Sequence, residues 1–280
     1  MMGEASAFPM GPGRRRGLVR PQVLPAILTL GNLFCGFLAI AKAADALAEP
    51  VPARALDLLA YAGWLIFLGM IFDALDGYVA RLSGGTSAMG VVLDSLADVV
   101  TFGAAPAFLA KCIAEGPGAM ADHRMTLYFS VFFALMAALR LARYSAHAGD
   151  PEEAHLWFEG LPTPGAAGVI AGLALLLPDR DLRPESAVLR LLPYATLALG
   201  LLMVSRLPYV HVTSRFLRGR KPVHYIVVSL VVLVLALTFH FEAALAGAVL
   251  VYAVSGPVVA LFRRRRRNAP LPAPVQGGRE

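Results

Sequence analysis

Asp73-Ala-Leu-Asp76-Gly77-Tyr-Val-Ala80-Arg81, then eight residues, then Gly90-Val-Val-Leu-Asp94-Ser-Leu-Ala-Asp98, is the stretch on which the reading of this chain turns. Its four carboxylates stand among residues that are otherwise almost wholly apolar. Asp73 and Asp76 are three apart and Asp94 and Asp98 four apart, so on helices each pair shares a face. An ionised side chain inside a membrane is costly and marks function by default. Carboxylates converging from two helices would repel one another strongly unless cations lay between them.

The rest of the chain supplies the membrane. Of 280 residues, 58% are hydrophobic and only 16% charged, against about 25% charged in an ordinary soluble domain. Mean hydropathy is +0.65, and apolar runs of spanning length recur from end to end. The expected fold is all-α: a polytopic membrane helix bundle of about eight transmembrane helices. The net charge of +6 is no nucleic-acid signal, because the basic residues fall in membrane-flanking segments, where they set topology and meet anionic lipid. Cys35 and Cys112 lie within or at the end of apolar spans and read as reduced packing residues.

Outward from the aspartates, a span at 57–80 ends in the first pair and another at 88–112 begins with the second. The polar turn from Arg81 to Ser87, with Gly84 and Gly85, makes a tight hairpin that brings the pairs together. Upstream, residues 1–21 form a basic tail carrying Arg14, Arg15, Arg16 and Arg20, followed by a span at 22–45. Its basic start and the later Ala46-Leu-Ala48 imitate a signal peptide, but the apolar part is long for one, and Thr29, Gly31, Asn32 and Gly36 read as a packed or substrate-facing stripe. Downstream come spans at 124–147 (with Arg140 and Arg143), 164–178, 187–205, 223–240 and 243–262, giving a transmembrane catalytic domain over 22–262. A basic, Pro/Gly-rich tail over 263–280 opens with Arg263 to Arg267. Placing both tails, Arg81, Arg140, Arg143 and the cluster at 206–222 on one side gathers most of the 25 Lys and Arg there. That bias predicts a cytoplasmic aspartate site in the cell membrane. The 164–178 span is short, and a re-entrant path there would reverse the later spans.

Hard divalent cations take oxygen ligands, and Mg²⁺ in particular joins carboxylates to substrate phosphates. No His or Cys cluster accompanies the aspartates, which argues against zinc. Gly77 and Gly90 allow close approach of a ligand or of a partner helix. A metal pair on a diphosphate would neutralise charge on a leaving phosphate, and an aspartate not fully used on metal would accept a proton from an attacking hydroxyl. Plainer roles exist for each group. A lone membrane Asp is often a structural hydrogen-bonding group or part of a proton path. Arg81 serves equally as a topology anchor, and Arg140 and Arg143 as arginines snorkelling to headgroups.

Asp73-x2-Asp76-Gly77-x2-Ala80-Arg81-x8-Gly90-x3-Asp94-x3-Asp98 resembles the complete signature of the CDP-alcohol phosphatidyltransferases. Four further segments resemble the bacterial and archaeal members that use serine, the CDP-diacylglycerol–serine O-phosphatidyltransferases: Pro25 to Gly36, Asp94 to Ala107, Arg140-Leu-Ala-Arg143-Tyr144, and Phe158-Glu-Gly160-Leu-Pro162-Thr-Pro164. Thr101 stands where many relatives have Ser. The resemblance implies a homodimeric helix bundle that uses Mg²⁺ or Mn²⁺ and moves a phosphatidyl group from CDP-diacylglycerol to L-serine with release of CMP. It implies Asp73, Asp76 and Asp94 as metal ligands, with Asp98 as general base and a further metal contact. Gly77, Ala80 and Gly90 would line the cytidine and diphosphate pocket, with Arg81 supporting the phosphates or the aspartates. Asn32 would face substrate, and Arg140 or Arg143 would offer a fork of donors to the serine carboxylate.

The aspartates alone do not separate serine from glycerol phosphate, inositol phosphate or choline as acceptor. An intramembrane prenyltransferase would usually keep its aspartate pairs far apart, whereas 17 residues separate Asp76 from Asp94. A cation transporter would more often show mid-membrane carboxylates, broken helices and repeats.

Overall fold

Backbone groups surrounded by apolar side chains and lipid must find partners within their own segment, which leaves helices as the economical solution. A computed structural model of the chain describes residues 23–82, 88–116, 122–147, 160–178, 187–207, 209 and 241–267, and among these residues the regular elements are all helices. They are α1 (Val23–Ala48), α2 (Pro52–Leu82), α3 (Ala88–Asp98), α4 (Ala105–Glu115), α5 (His123–His147), α6 (Thr163–Leu175), α7 (Ala187–Val204) and α8 (Phe241–Arg267). A π-helical turn, Val99–Ala104, joins α3 to α4 without a break. Among the described residues five apolar stretches, Val23–Ala48, Pro52–Leu82, Met89–Glu115, His123–Ser145 and Phe241–Ala260, are long enough to cross a bilayer. The protein is a polytopic helical membrane protein.

The expected spans map onto these helices with shifted ends. α2 begins at Pro52 rather than 57, because proline suits the first turn of a helix. α8 runs through Arg267 rather than stopping at 262. The expected fifth span is α6, only 13 residues long, or about 20 Å, less than a hydrocarbon core. The tail 1–21, the turn residues 83–87, the loop residues 148–159, most of the 206–222 cluster, the 223–240 span and the final tail from 268 lie outside the described residues.

Small residues set the packing. α1 and α2 share the most extensive helix pairing, with Ala39, Ala43, Ala46, Ala55, Ala62 and Ile66 buried, since short side chains let helix backbones approach. A Cβ at Gly63 of α2 would come within 2.8 Å of the Ala171 carbonyl of α6, and one at Gly172 of α6 within 2.9 Å of Ala246 Cα of α8. Outward-facing Phe34, Phe37, Ile71, Val92 and Leu135 are exposed, as lipid-facing positions should be. Cys35 and Cys112 are buried and free, as their apolar settings led one to expect.

Before α6, Gly160 takes φ +96°, a left-handed value that favours glycine. Its N–H donates to the Leu207 carbonyl at 2.9 Å, and the Leu161 N–H donates to that of Leu202 at 3.0 Å. The Gly160-Leu-Pro162 segment is thereby tied to the end of α7.

Candidate active site

The C-terminal part of α2 and the helix α3 bring aspartates from both pairs together. Asp76 lies six residues before the end of α2 and Asp94 six after the start of α3, about 9 Å of helix in each case. Asp73, Asp76 and Asp94 each offer an oxygen, and these oxygens lie within 4.8 Å of one another. Asp76 is buried, and Asp73 and Asp94 half-buried. Oδ2 of Asp76 and Oδ1 of Asp94 are buried without a hydrogen-bond partner among the described residues. Buried carboxylate oxygens left bare at such spacing repel one another and forgo solvation. An all-oxygen donor set of this kind fits a hard divalent cation.

Asp98 lies one turn beyond Asp94 and is not a member of that trio. Its Oδ1 instead accepts a hydrogen bond from Asn32 Nδ2 of α1 at 3.0 Å. Asn32 is fully buried, and its Oδ1 has no partner. The amide nitrogen of Asn32 is thus engaged with Asp98, and its carbonyl oxygen is the part left to meet anything else.

Of the flanking residues, Gly77 has open space where a side chain would be: a Cβ there would meet only Arg81 Nη1, at 3.6 Å. Among the described residues no helix packs tightly against this position. Ala80 is buried, Gly90 half-buried, and Arg81 exposed at the end of α2.

The arginines expected to meet the acceptor lie on α5. α5 runs antiparallel to the α3–α4 rod, so its C-terminal end returns to the start of α3. There the hydroxyls of Ser95 and Ser145 lie 3.0 Å apart. Arg140 is half-buried, with Nε lacking a partner among the described residues, and stands within electrostatic reach of Tyr144 and of Tyr252 from α8. Arg143 is exposed.

Sequence reasoning missed the contacts of Ser95, Ser145 and Tyr252, which carry no spacing signal. It noted Thr101 only as a variant position, yet Thr101 is buried and bonded to α1. Phe102 and Leu161, from segments that suggested serine, are core residues with 0% exposure.

Helices of spanning length and a carboxylate trio at their ends, suited to a divalent cation and a phosphorylated partner, define a class of membrane-embedded enzyme. The family model described as CDP-alcohol phosphatidyltransferase matches residues 22–206, and the chain belongs to that family. Among its relatives is the CDP-diacylglycerol–serine O-phosphatidyltransferase of Helicobacter pylori (strain ATCC 700392 / 26695), 33% identical over 190 residues, 67% of this chain and 71% of the relative. The protein of that name from Methanocaldococcus jannaschii is 37% identical over 145 residues, 52% of this chain and 61% of the relative. The one from Saccharomyces cerevisiae is 40% identical over 118 residues, 40% and 41% of the two chains. Family membership displaces the prenyltransferase and transporter readings.

Proposed function

We propose that this chain transfers the phosphatidyl group of CDP-diacylglycerol to the hydroxyl of L-serine, giving phosphatidylserine and CMP. The observation that carries the reading is the oxygen trio of Asp73, Asp76 and Asp94, two of whose buried oxygens have no partner among the described residues. The relatives' shared name supports serine as the acceptor.

Asp73, Asp76 and Asp94 would hold Mg²⁺ or Mn²⁺, with Asp98 within one helical turn to contribute. Such ions supply charge neutralisation on the diphosphate. Asp98, steadied by Asn32, takes the proton from the serine hydroxyl. The freed oxygen forms a bond to the phosphorus that bears diacylglycerol. The bond from that phosphorus to the bridging diphosphate oxygen breaks, and its electron pair leaves with CMP. Gly77, Ala80 and Gly90 leave room for the cytidine and diphosphate, and Arg81 faces the phosphates from the end of α2. Arg140, with Arg143 beside it, receives the serine carboxylate; its unpaired Nε is one donor of the fork.

The arginine distribution supports a site facing the cytoplasm from the inner membrane, and the family resemblance supports a homodimer. The deciding experiment supplies the purified enzyme with CDP-diacylglycerol and, in turn, serine, glycerol phosphate, inositol phosphate or choline, and follows CMP. Serine is expected to give the fastest release. A faster rate with another alcohol overturns the acceptor, and no release with any of them overturns the reaction.

A further inference from the structure

Thr101 sits in the π turn three residues beyond Asp98, fully buried. Its hydroxyl donates to the backbone carbonyl of Asn32 at 2.9 Å. That carbonyl belongs to the interior of α1, so its oxygen accepts the hydroxyl proton on its second lone pair. The two flanking helices are thinned to admit Thr101. A Cβ at Gly36 of α1 would lie 2.7 Å from Thr101 Cα, and one at Gly69 of α2 would lie 2.6 Å from its Cγ2. The side chain of the same Asn32 donates to Asp98 at 3.0 Å. One residue of α1 is therefore gripped twice by one stretch of the neighbouring rod, through its backbone by Thr101 and through its amide to Asp98. Sliding α1 along that rod, or rotating it, breaks one bond or the other.

We propose that Thr101 is a positioning residue for Asp98, acting through Asn32: the paired hydrogen bonds set the register of α1 against the π turn and so hold the Asp98 carboxylate in place to meet the acceptor hydroxyl. The inference rests on Asp98 as the base of the proposed transfer. A buried hydroxyl wants a partner in any case, so the test must separate positioning from packing.

The full chain in detergent micelles is assayed with CDP-diacylglycerol and serine. Thr101→Val keeps the shape and removes the donor. Its kcat is expected to fall about tenfold to a hundredfold, as a catalytic group displaced by a fraction of an ångström allows. KM for CDP-diacylglycerol is expected to stay within about twofold, because the aspartate trio is untouched. Thr101→Ser, which retains the donor, is expected to recover most of kcat. Asn32→Ala combined with Thr101→Val is expected to be little worse than the poorer single variant, since the two act as a unit. Thr101→Ala, which cannot overpack Gly36 and Gly69, is the second variant should Thr101→Val fold poorly. A Thr101→Val enzyme with wild-type kcat overturns the inference, as does an equal rise in KM, additive losses in the pair, or loss of fold in both substitutions. A wild-type enzyme that releases no CMP with any alcohol defeats the reaction itself, a different result from an active wild type matched by Thr101→Val.

Discussion

Ser95 of α3 and Ser145 of α5 meet hydroxyl to hydroxyl at 3.0 Å, one residue from Asp94 on one side and two from Arg143 on the other. The contact fastens the end of α5 to the helix that carries two of the four aspartates. Arg140 lies five residues back along α5, about 7.5 Å deeper by helical rise, which brings it within about 3 Å of the level of Asp98. Loss of a charged hydrogen-bonding partner is expected to raise KM for serine in Arg140→Ala by about tenfold to a hundredfold. KM for CDP-diacylglycerol should hold. Arg140→Lys should recover only part, because a single ammonium cannot reproduce the guanidinium fork. Steady-state kinetics at varied serine check this, and unchanged serine KM in both Arg140→Ala and Arg143→Ala would sink it.

The bare oxygens of Asp76 and Asp94 predict opposite effects on activity and on stability. Asp94→Asn is expected to lower CMP release by about a hundredfold to a thousandfold or more, the scale seen when a key electrostatic group is removed. Stripped of divalent ions by a chelator, however, the variant should melt no lower than wild type, since one member of a repelling group has been neutralised. Adding Mg²⁺ or Mn²⁺ should raise the melting temperature of wild type but not of the variant, as binding to the folded state alone requires. Melting curves in detergent, with and without metal, provide the check.

Gly36 and Gly77 are both glycines of the site region, yet they should fail differently. Gly36→Ala drives a Cβ against the Thr101 backbone at 2.7 Å and should cost about 1–3 kcal/mol of stability through overpacking. Gly77→Ala meets open space, so it should melt like wild type while its KM for CDP-diacylglycerol rises. Thermal unfolding and substrate titration of both variants distinguish the cases.

Gly160→Ala should destabilise without touching chemistry directly. The φ of +96° is strained for alanine by about 1–3 kcal/mol. Its Cβ would also come within 2.5 Å of the Met203 carbonyl, prising the loop from α7. A lowered melting temperature with near-normal kcat in the remaining folded enzyme is the expected outcome.

Much of this was readable in the sequence, for physical reasons. Membrane-length apolar runs allow little but helices, and ionised residues are too costly in such surroundings to be accidental, so the meeting of carboxylates from α2 and α3 could be read from spacing alone. The bond from Thr101 to Asn32 could not, because the partners are 69 residues apart and a threonine in an apolar helix is unremarkable. Gly36 looked like part of a stripe, but only the structure shows that its counterpart is Gly69, with Thr101 between them. The arginines after 262 looked like a tail because charge usually ends a span; the backbone of α8 continues through them, since arginine is a good helix former.

The π turn at Val99–Ala104 spends one residue more than an α-helical turn would, with the Ala105 N–H reaching back to the Val100 carbonyl. Its consequence is a phase shift between the two halves of a single rod. Wound as a regular α-helix with the same residues, the rod would swing Asp94 and Asp98 about 100° relative to Leu109, Cys112 and Ile113. The upper half could then face the aspartates of α2, or the lower half could fill the interior, but not both; the surplus residue is what lets one helix serve two masters.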